Sequence, residues 1–183
     1  MIYVALLRGI NVGGNNKIDM KQLKAAFEHA GMQHVVTYIN TGNIIFKNQE
    51  LNKDELSALL EKTILEHFGL SIKVLIRSMD EYRKVIDSLP ETWTNDQTMK
   101  SDVLFLWDDI DEEAVLDKLD IRPEYDRVIY APGAVLWSVD RENAAKSGMH
   151  KIIGTKIYSR VTVRNVNTTR KIFELMQAAA ANA

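Results

Sequence analysis

Apolar residues along this chain follow two rhythms: short unbroken runs, and longer stretches in which they recur every three or four positions. Ile2 to Leu7 is a run that stops near glycine and predicts a buried strand. Met20, Leu23, Phe27 and Ala30 then recur at helical spacing, with Asp19 placed to cap the helix and Gly31 to end it. Val35 to Asn40 and Asn43 to Lys47 are β-rich runs around Thr41-Gly42, the pattern of an antiparallel hairpin. Asn52 with Glu55 three residues on opens a helix carrying Leu56, Leu59, Leu60, Ile64 and Phe68 on one face. Gly69 closes it before a strand from Ile72 to Arg77.

The second half repeats the order. Ser78 is placed to cap a helix with Tyr82, Val85, Ile86 and Leu89 inward, and Pro90 to Ser101 is a polar connection without periodicity. Asp102–Trp107 predicts a strand and Asp111–Leu119 a helix, while Asp126–Tyr130 and Ala134–Asp140 predict strands around the turn pair Pro132-Gly133. Arg141–Ile153 predicts a helix interrupted by Gly148, Val161–Arg164 a strand, and Thr168–Ala179 a last helix with Ile172, Leu175, Met176 and Ala179 aligned. Each half reads β-α-β-β-α-β. The expectation is an α+β fold of two tandem ferredoxin-like units with antiparallel sheets, plus a connecting helix and a C-terminal helix. Residues 1–77 form the first unit in this reading, 78–101 the connecting helix and linker, and 102–183 the second unit with the C-terminal helix.

Composition narrows the function. A chain of 183 residues with 46% hydrophobic content can bury a real core. A net charge of −2 gives no global pull toward nucleic acid or acidic membrane, so only a local basic patch would bind phosphate backbones. The absence of cysteine excludes disulfides, thiolate zinc sites and thiol nucleophiles. The first residues carry no cationic prelude, and their apolar run is too short to span a bilayer, so the expected location is cytoplasmic, without membrane association. The closing alanine tract reads as a helix end.

The candidate chemistry gathers in the connection after the first strand, Arg8-Gly9-Ile10-Asn11-Val12-Gly13-Gly14-Asn15-Asn16-Lys17. Such connections usually run about 2–6 residues, and longer ones in compact domains are commonly functional. Gly9, Gly13 and Gly14 offer backbone N–H groups to a ligand that approaches closely, Arg8 and Lys17 would neutralise an anion, and Asn11 and Asn16 would orient it. The following helix N-terminus adds partial positive charge, although Asp19 competes for the same amides. In a split βαβ unit the first two strands are parallel, which brings Asn40-Thr41-Gly42-Asn43 to the same sheet edge. Thr41, Gly42 and Asn43 therefore join the candidate site, and Arg164, Asn165, Asn167 and Thr168 repeat the theme of a strand leading into a polar cap. The ligand expected is a small anionic or phosphate-bearing molecule. The competing reading is a long turn whose glycines and asparagines supply left-handed conformations. Neither a P-loop ending nor a G-x-G-x-x-G order is present.

Other features carry less. The basic stretch Lys146, Lys151, Lys156, Arg160, Arg164, Arg170 and Lys171, together with strand aromatics Trp107 and Trp137, makes RNA or a protein the second candidate partner. Neither third strand resembles an RNP signature, and large strand aromatics more often belong to a core. The acids from Asp108 to Glu113 answer a helix dipole better than they bind magnesium, and the histidines lack a ligand spacing such as H-E-x-x-H. No metal, cofactor or catalytic residue is assigned, and no nucleophile elbow is present.

Leu6-Leu7-Arg8-Gly9-Ile10-Asn11-Val12-Gly13-Gly14, then Asn16-Lys17, Met20 and Leu23, resembles the leading motif of the bacterial family called domain of unknown function 1697. Thr37-Tyr38-Ile39 with Gly42-Asn43 and Phe46 is similar to its second segment, and Arg164-Asn165 with Asn167-Thr168 to its third, so the resemblance runs nearly full length. Thr41 stands where the family usually has serine, and Val166 where it usually has tryptophan. The resemblance implies a two-part ferredoxin-like α+β fold and implies no activity, substrate or cofactor.

Overall fold

The strand signals of the first half all become strands in the computed structural model, which describes residues 1–182. They form β1 (Ile2–Leu7), β2 (Gln33–Tyr38), β3 (Asn43–Lys47) and β4 (Val74–Ser78), one antiparallel sheet in the order β2-β3-β1-β4. β2 stops short of the expected Asn40 because Ile39 turns to a φ of 49° and leaves the pleat. Two helices supply this sheet's apolar partner. α1 (Met20–His29) buries Leu23, Ala26 and Phe27, and α2 (Lys53–Phe68) buries Leu56, Leu60 and Ile64. They pack with Tyr3, Ala5 and Leu7 of β1 and with Ile44 and Phe46 of β3 in one core. Each buried leucine, isoleucine or phenylalanine among them contributes on the order of 1.5–3 kcal/mol by leaving water. Phe46 stacks on Tyr3 at 5.8 Å between ring centres and meets Phe27 edge-on at 6.4 Å. The end signals act as the sequence predicts: Asn52 and Glu55 form a capping box, and Gly69 closes α2 at a φ of 67°.

The second sheet contains β5 (Met99–Leu106), β6 (Asp126–Ala131), β7 (Ala134–Asp140) and β8 (Val161–Asn165), all antiparallel, in the order β6-β7-β5-β8. The molecule is thus a mixed α+β protein with two four-stranded antiparallel sheets and several helices. α3 (Met79–Ser88) and α4 (Val166–Ala181) complete the regular elements. The chain resolves into two compact units, Asp80–Lys171, and Met1–Met79 with the chain end from Ile172.

Both helices expected within the second unit are absent. Asp111–Leu119 is replaced by 3-10 turns at Asp108–Ile110 and Glu113–Lys118. The carboxylate of Asp111, placed to start that helix, instead accepts from Tyr130 OH and from the backbone N–H of Gly133, both at 2.8 Å. Arg141–Ile153 likewise gives way to 3-10 turns at Arg141–Lys146 and Met149–Gly154, followed by another at Lys156–Arg160. The break falls where Ser147 Oγ and Gly148 N both donate to the Asp126 carboxylate. Gly148 also lies against Asp120 so closely that an added Cβ would sit 1.4 Å from its carbonyl oxygen. The last helix begins at Val166, earlier than expected, because the Asn165 side chain accepts from the backbone N–H of Thr168 at 2.9 Å. Asn167, which directly precedes the expected helix start at Thr168, donates to the Asn95 carbonyl.

Candidate functional site

The long connection after β1 is a folded hairpin. Asn11 N donates to Asn16 O at 3.1 Å and Asn15 N to Val12 O at 2.9 Å, with Gly13 and Gly14 between them at φ 58° and 78°. Consecutive positive φ at two glycines is the pattern of the tight turn whose twist matches an antiparallel ribbon. Ile10 and Ile18 bury the base of the hairpin in the first unit's core, while Val12 at its tip is exposed.

Asn11 fixes this hairpin to the neighbouring turn. Its φ is 53°; its Nδ2 donates to Ile18 O at 3.1 Å and to Asn40 O at 2.6 Å, and its Oδ1 accepts from Ile18 N at 2.9 Å. Both amide hydrogens are thereby used. Asn16 Nδ2 similarly donates to Gly9 O, another residue at positive φ. The β2–β3 turn lies at the same sheet corner, as the parallel course of β1 and β2 requires, and Gly42 O accepts from Leu7 N at 2.9 Å. A Cβ at Gly42, whose φ is 90°, would fall 2.7 Å from Leu7 Cβ and 2.8 Å from Ile10 Cδ1, so only glycine lets strand and hairpin meet there. Asn43 is fully buried and donates to Tyr38 O and Thr41 Oγ1, each at 3.0 Å. Asn11, Asn16, Thr41, Gly42 and Asn43 therefore all help to build the corner.

Between hairpin and turn lies a cleft of about 400 Å³ lined by Asn11, Gly14, Lys17, Ile18, Asp19 and Asn40. The structure thus brings together Asn11, Gly14 and Lys17 of the expected set with Asn40 of the neighbouring turn, and adds Ile18 and Asp19, the latter expected only as a helix cap. Lys17 is exposed and forms no ion pair among the described residues. Asp19 takes the α1 terminus for itself, accepting from Lys21 N and Gln22 N at 2.9 and 3.1 Å. The helix dipole is thereby answered internally, and the cation in the cleft is a side chain.

The third expected segment belongs to the second unit. Arg164 is buried there; its guanidinium donates to Thr162 Oγ1 and Val163 O, both at 2.9 Å, and burial pulls its pKa down to about 10. Nearby, burial pushes the Tyr82 hydroxyl well above the usual tyrosine range, and this hydroxyl donates to Thr169 O at 2.9 Å. Asn165 and Thr168 are joined in the α4 cap, and Asn167 is bonded to Asn95. The basic stretch is largely matched from within. Lys151 pairs with Asp120 at 3.0 Å, Arg160 chelates Asp109 and lies 5.8 Å from the Trp107 ring centre, and Arg170 donates to the carbonyls of Trp93 and Pro90. Trp137 is a fully buried core residue. No helix among the described residues is long and apolar enough to cross a membrane.

A solved structure, that of the conserved bacterial protein SP0830 from Streptococcus pneumoniae, is similar at 28% identity over 96% of this chain and 98% of that one, with a TM-score of 0.81. No curated protein matches. The model of the family described as "Protein of unknown function (DUF1697)" matches residues 1–137, and the chain belongs to that family.

Proposed function

From the open corner of the first sheet, we propose that the protein is a cytosolic binder of a small anionic or phosphate-bearing ligand, held in the cleft between the glycine hairpin and the β2–β3 turn. The observation that carries this reading is Lys17, an exposed cation without an ion-pair partner among the described residues, on the wall of a preformed cleft. Its ammonium receives the anionic group, and Gly14, which also lines the cleft, lets that group approach the backbone closely. Asp19 shares the wall, and its carboxylate suits a ligand that also carries hydroxyls. Arg8 and Gly9, through Arg8 N to Lys73 O and Asn16 Nδ2 to Gly9 O, act with Asn11, Asn16, Thr41, Gly42 and Asn43 by holding the hairpin and turn in place. Arg164, Asn165, Asn167 and Thr168 serve the second unit's own framework.

The same reading takes the two halves as duplicated ferredoxin-like units. Equivalent sheet orders support it, as does equivalent register: Leu7 N donates to Gly42 O and Arg8 N to Lys73 O, as Leu106 N does to Gly133 O and Trp107 N to Arg160 O. RNA binding through the basic stretch draws no such support, since most of those cations have internal partners.

Thermal unfolding against nucleotides, sugar phosphates, polyphosphates and carboxylates, with Lys17→Ala beside the parent, tests the proposal. A ligand at about 100 times its dissociation constant should stabilise the parent by about 2.7 kcal/mol and leave Lys17→Ala unmoved. Equal shifts in both proteins, or none across the panel, would overturn it.

A further inference from the structure

The second unit holds a cavity of a different character. It has about 300 Å³ of space between the sheet and the 3-10 turns that replace the expected helix. Leu104, Val139, Met149 and Ile152 line it. Apolar side chains also rim it: Ile153, Tyr158 and Val163 are 63%, 37% and 40% exposed, although isoleucine and valine normally seek cover. The turns explain the opening. A continuous helix would set a ridge of side chains along the sheet, whereas the bonds from Ser147 and Gly148 to Asp126 break the segment and leave Leu104 and Val163 facing a gap.

Two basic side chains, Lys100 and His150, line this gap; no carboxylate lines it, and Asp102 pairs with the Lys100 ammonium. The Lys100 ammonium gives one of its three donors to Asp102 and keeps others for a second acceptor. His150 is exposed, with no hydrogen bond or ion pair among the described residues. A half-enclosed apolar pocket of this size with few, convergent polar groups is the usual form of a small-molecule site.

We propose that this pocket binds a small amphiphilic carboxylate, such as a medium-chain fatty acid or an aryl-alkyl acid. The apolar body lies against Leu104, Val139, Met149 and Ile152, and the carboxylate lies at the mouth beside Lys100 and His150. The site is separate from the Lys17 cleft and takes a ligand of opposite character, mostly apolar instead of mostly polar.

Calorimetric titration with decanoate, and with decanol as the uncharged chain of equal length, tests it below the concentrations at which either aggregates. Decanoate should bind saturably at one site per chain and more tightly than decanol. Ile153→Glu changes an exposed rim residue and should fold normally; it places a like charge at the mouth and should weaken decanoate at least about tenfold while decanol is little changed. His150→Gln should weaken decanoate by a smaller factor, again sparing decanol. Absence of saturable binding by either compound would overturn the pocket. Decanoate binding that neither substitution alters would overturn its placement, and decanol binding as tightly as decanoate would overturn the role of the basic mouth.

Discussion

The ends of β1 and β5 solve the same problem in opposite ways. In each, the last strand residue donates to the glycine carbonyl of the next hairpin turn, and the residue after it donates to the carbonyl just before the sheet's edge strand. Beyond that point the first unit grows a hairpin, braces it with the neutral amide of Asn11 and leaves Lys17 exposed. The second unit makes a short 3-10 turn and closes on itself: Asp111 accepts from Tyr130 and Gly133, and Arg160 is held by Asp109 over Trp107. One corner keeps a charge without a partner beside a cleft, whereas the other matches its charges internally. An equivalent sheet order therefore need not give equivalent corners, and the place to seek a ligand is where polar groups remain after the framework is satisfied.

The largest expected effect breaks the second unit alone. Gly148→Ala places a methyl where the Asp120 carbonyl already lies, and should cost about 3 kcal/mol or more in denaturant unfolding. Gly42→Ala attacks the open corner through left-handed strain and contact with Leu7 and Ile10 together, an expected loss of about 2–4 kcal/mol by the same measurement. Asn11→Ala removes the hydrogen bond that ties hairpin to turn and the two that close the hairpin on Ile18, and should cost about 2 kcal/mol.

The closed corner can be probed by pH. Burial first, and then the Asp111 acceptor, push the Tyr130 pKa up to about 12. The folded state therefore keeps a proton that an unfolded tyrosine releases near pH 10, so this group's contribution is complete below about pH 10 and is lost as pH rises toward about 12. Asp111→Asn should bring the Tyr130 titration, followed by ring resonances, back toward the ordinary tyrosine value and narrow that window. Lys17→Ala should have the smallest effect, within about 0.5 kcal/mol of the parent without ligand, because an exposed side chain without an ion-pair partner supports nothing in the fold.

Much of the first unit was legible because its signals are local. Asp19, the Asn52–Glu55 box and Gly69 act within a few residues of themselves, and the apolar rhythm of α1 and α2 matches the face they bury. The second unit was misread where a tertiary bond outcompeted a local preference: Asp111 left its helix start for Tyr130 and Gly133, and Ser147 and Gly148 turned to Asp126. At the candidate site, topology placed hairpin and turn together. The engagement of Asn11 and Asn43 by backbone and threonine oxygens could not be read from sequence, because an asparagine that braces a turn and one that faces a ligand have the same spacing.

Backbone-amide NMR titration of the protein with inorganic pyrophosphate tests the contrast between the corners most directly. Saturable shifts should centre on Gly14 and Lys17, leave Asp108 to Asp111 and Gly133 unmoved, and vanish in Lys17→Ala. Shifts of equal size at both corners, or none at Gly14 and Lys17 at saturating pyrophosphate, would contradict the account.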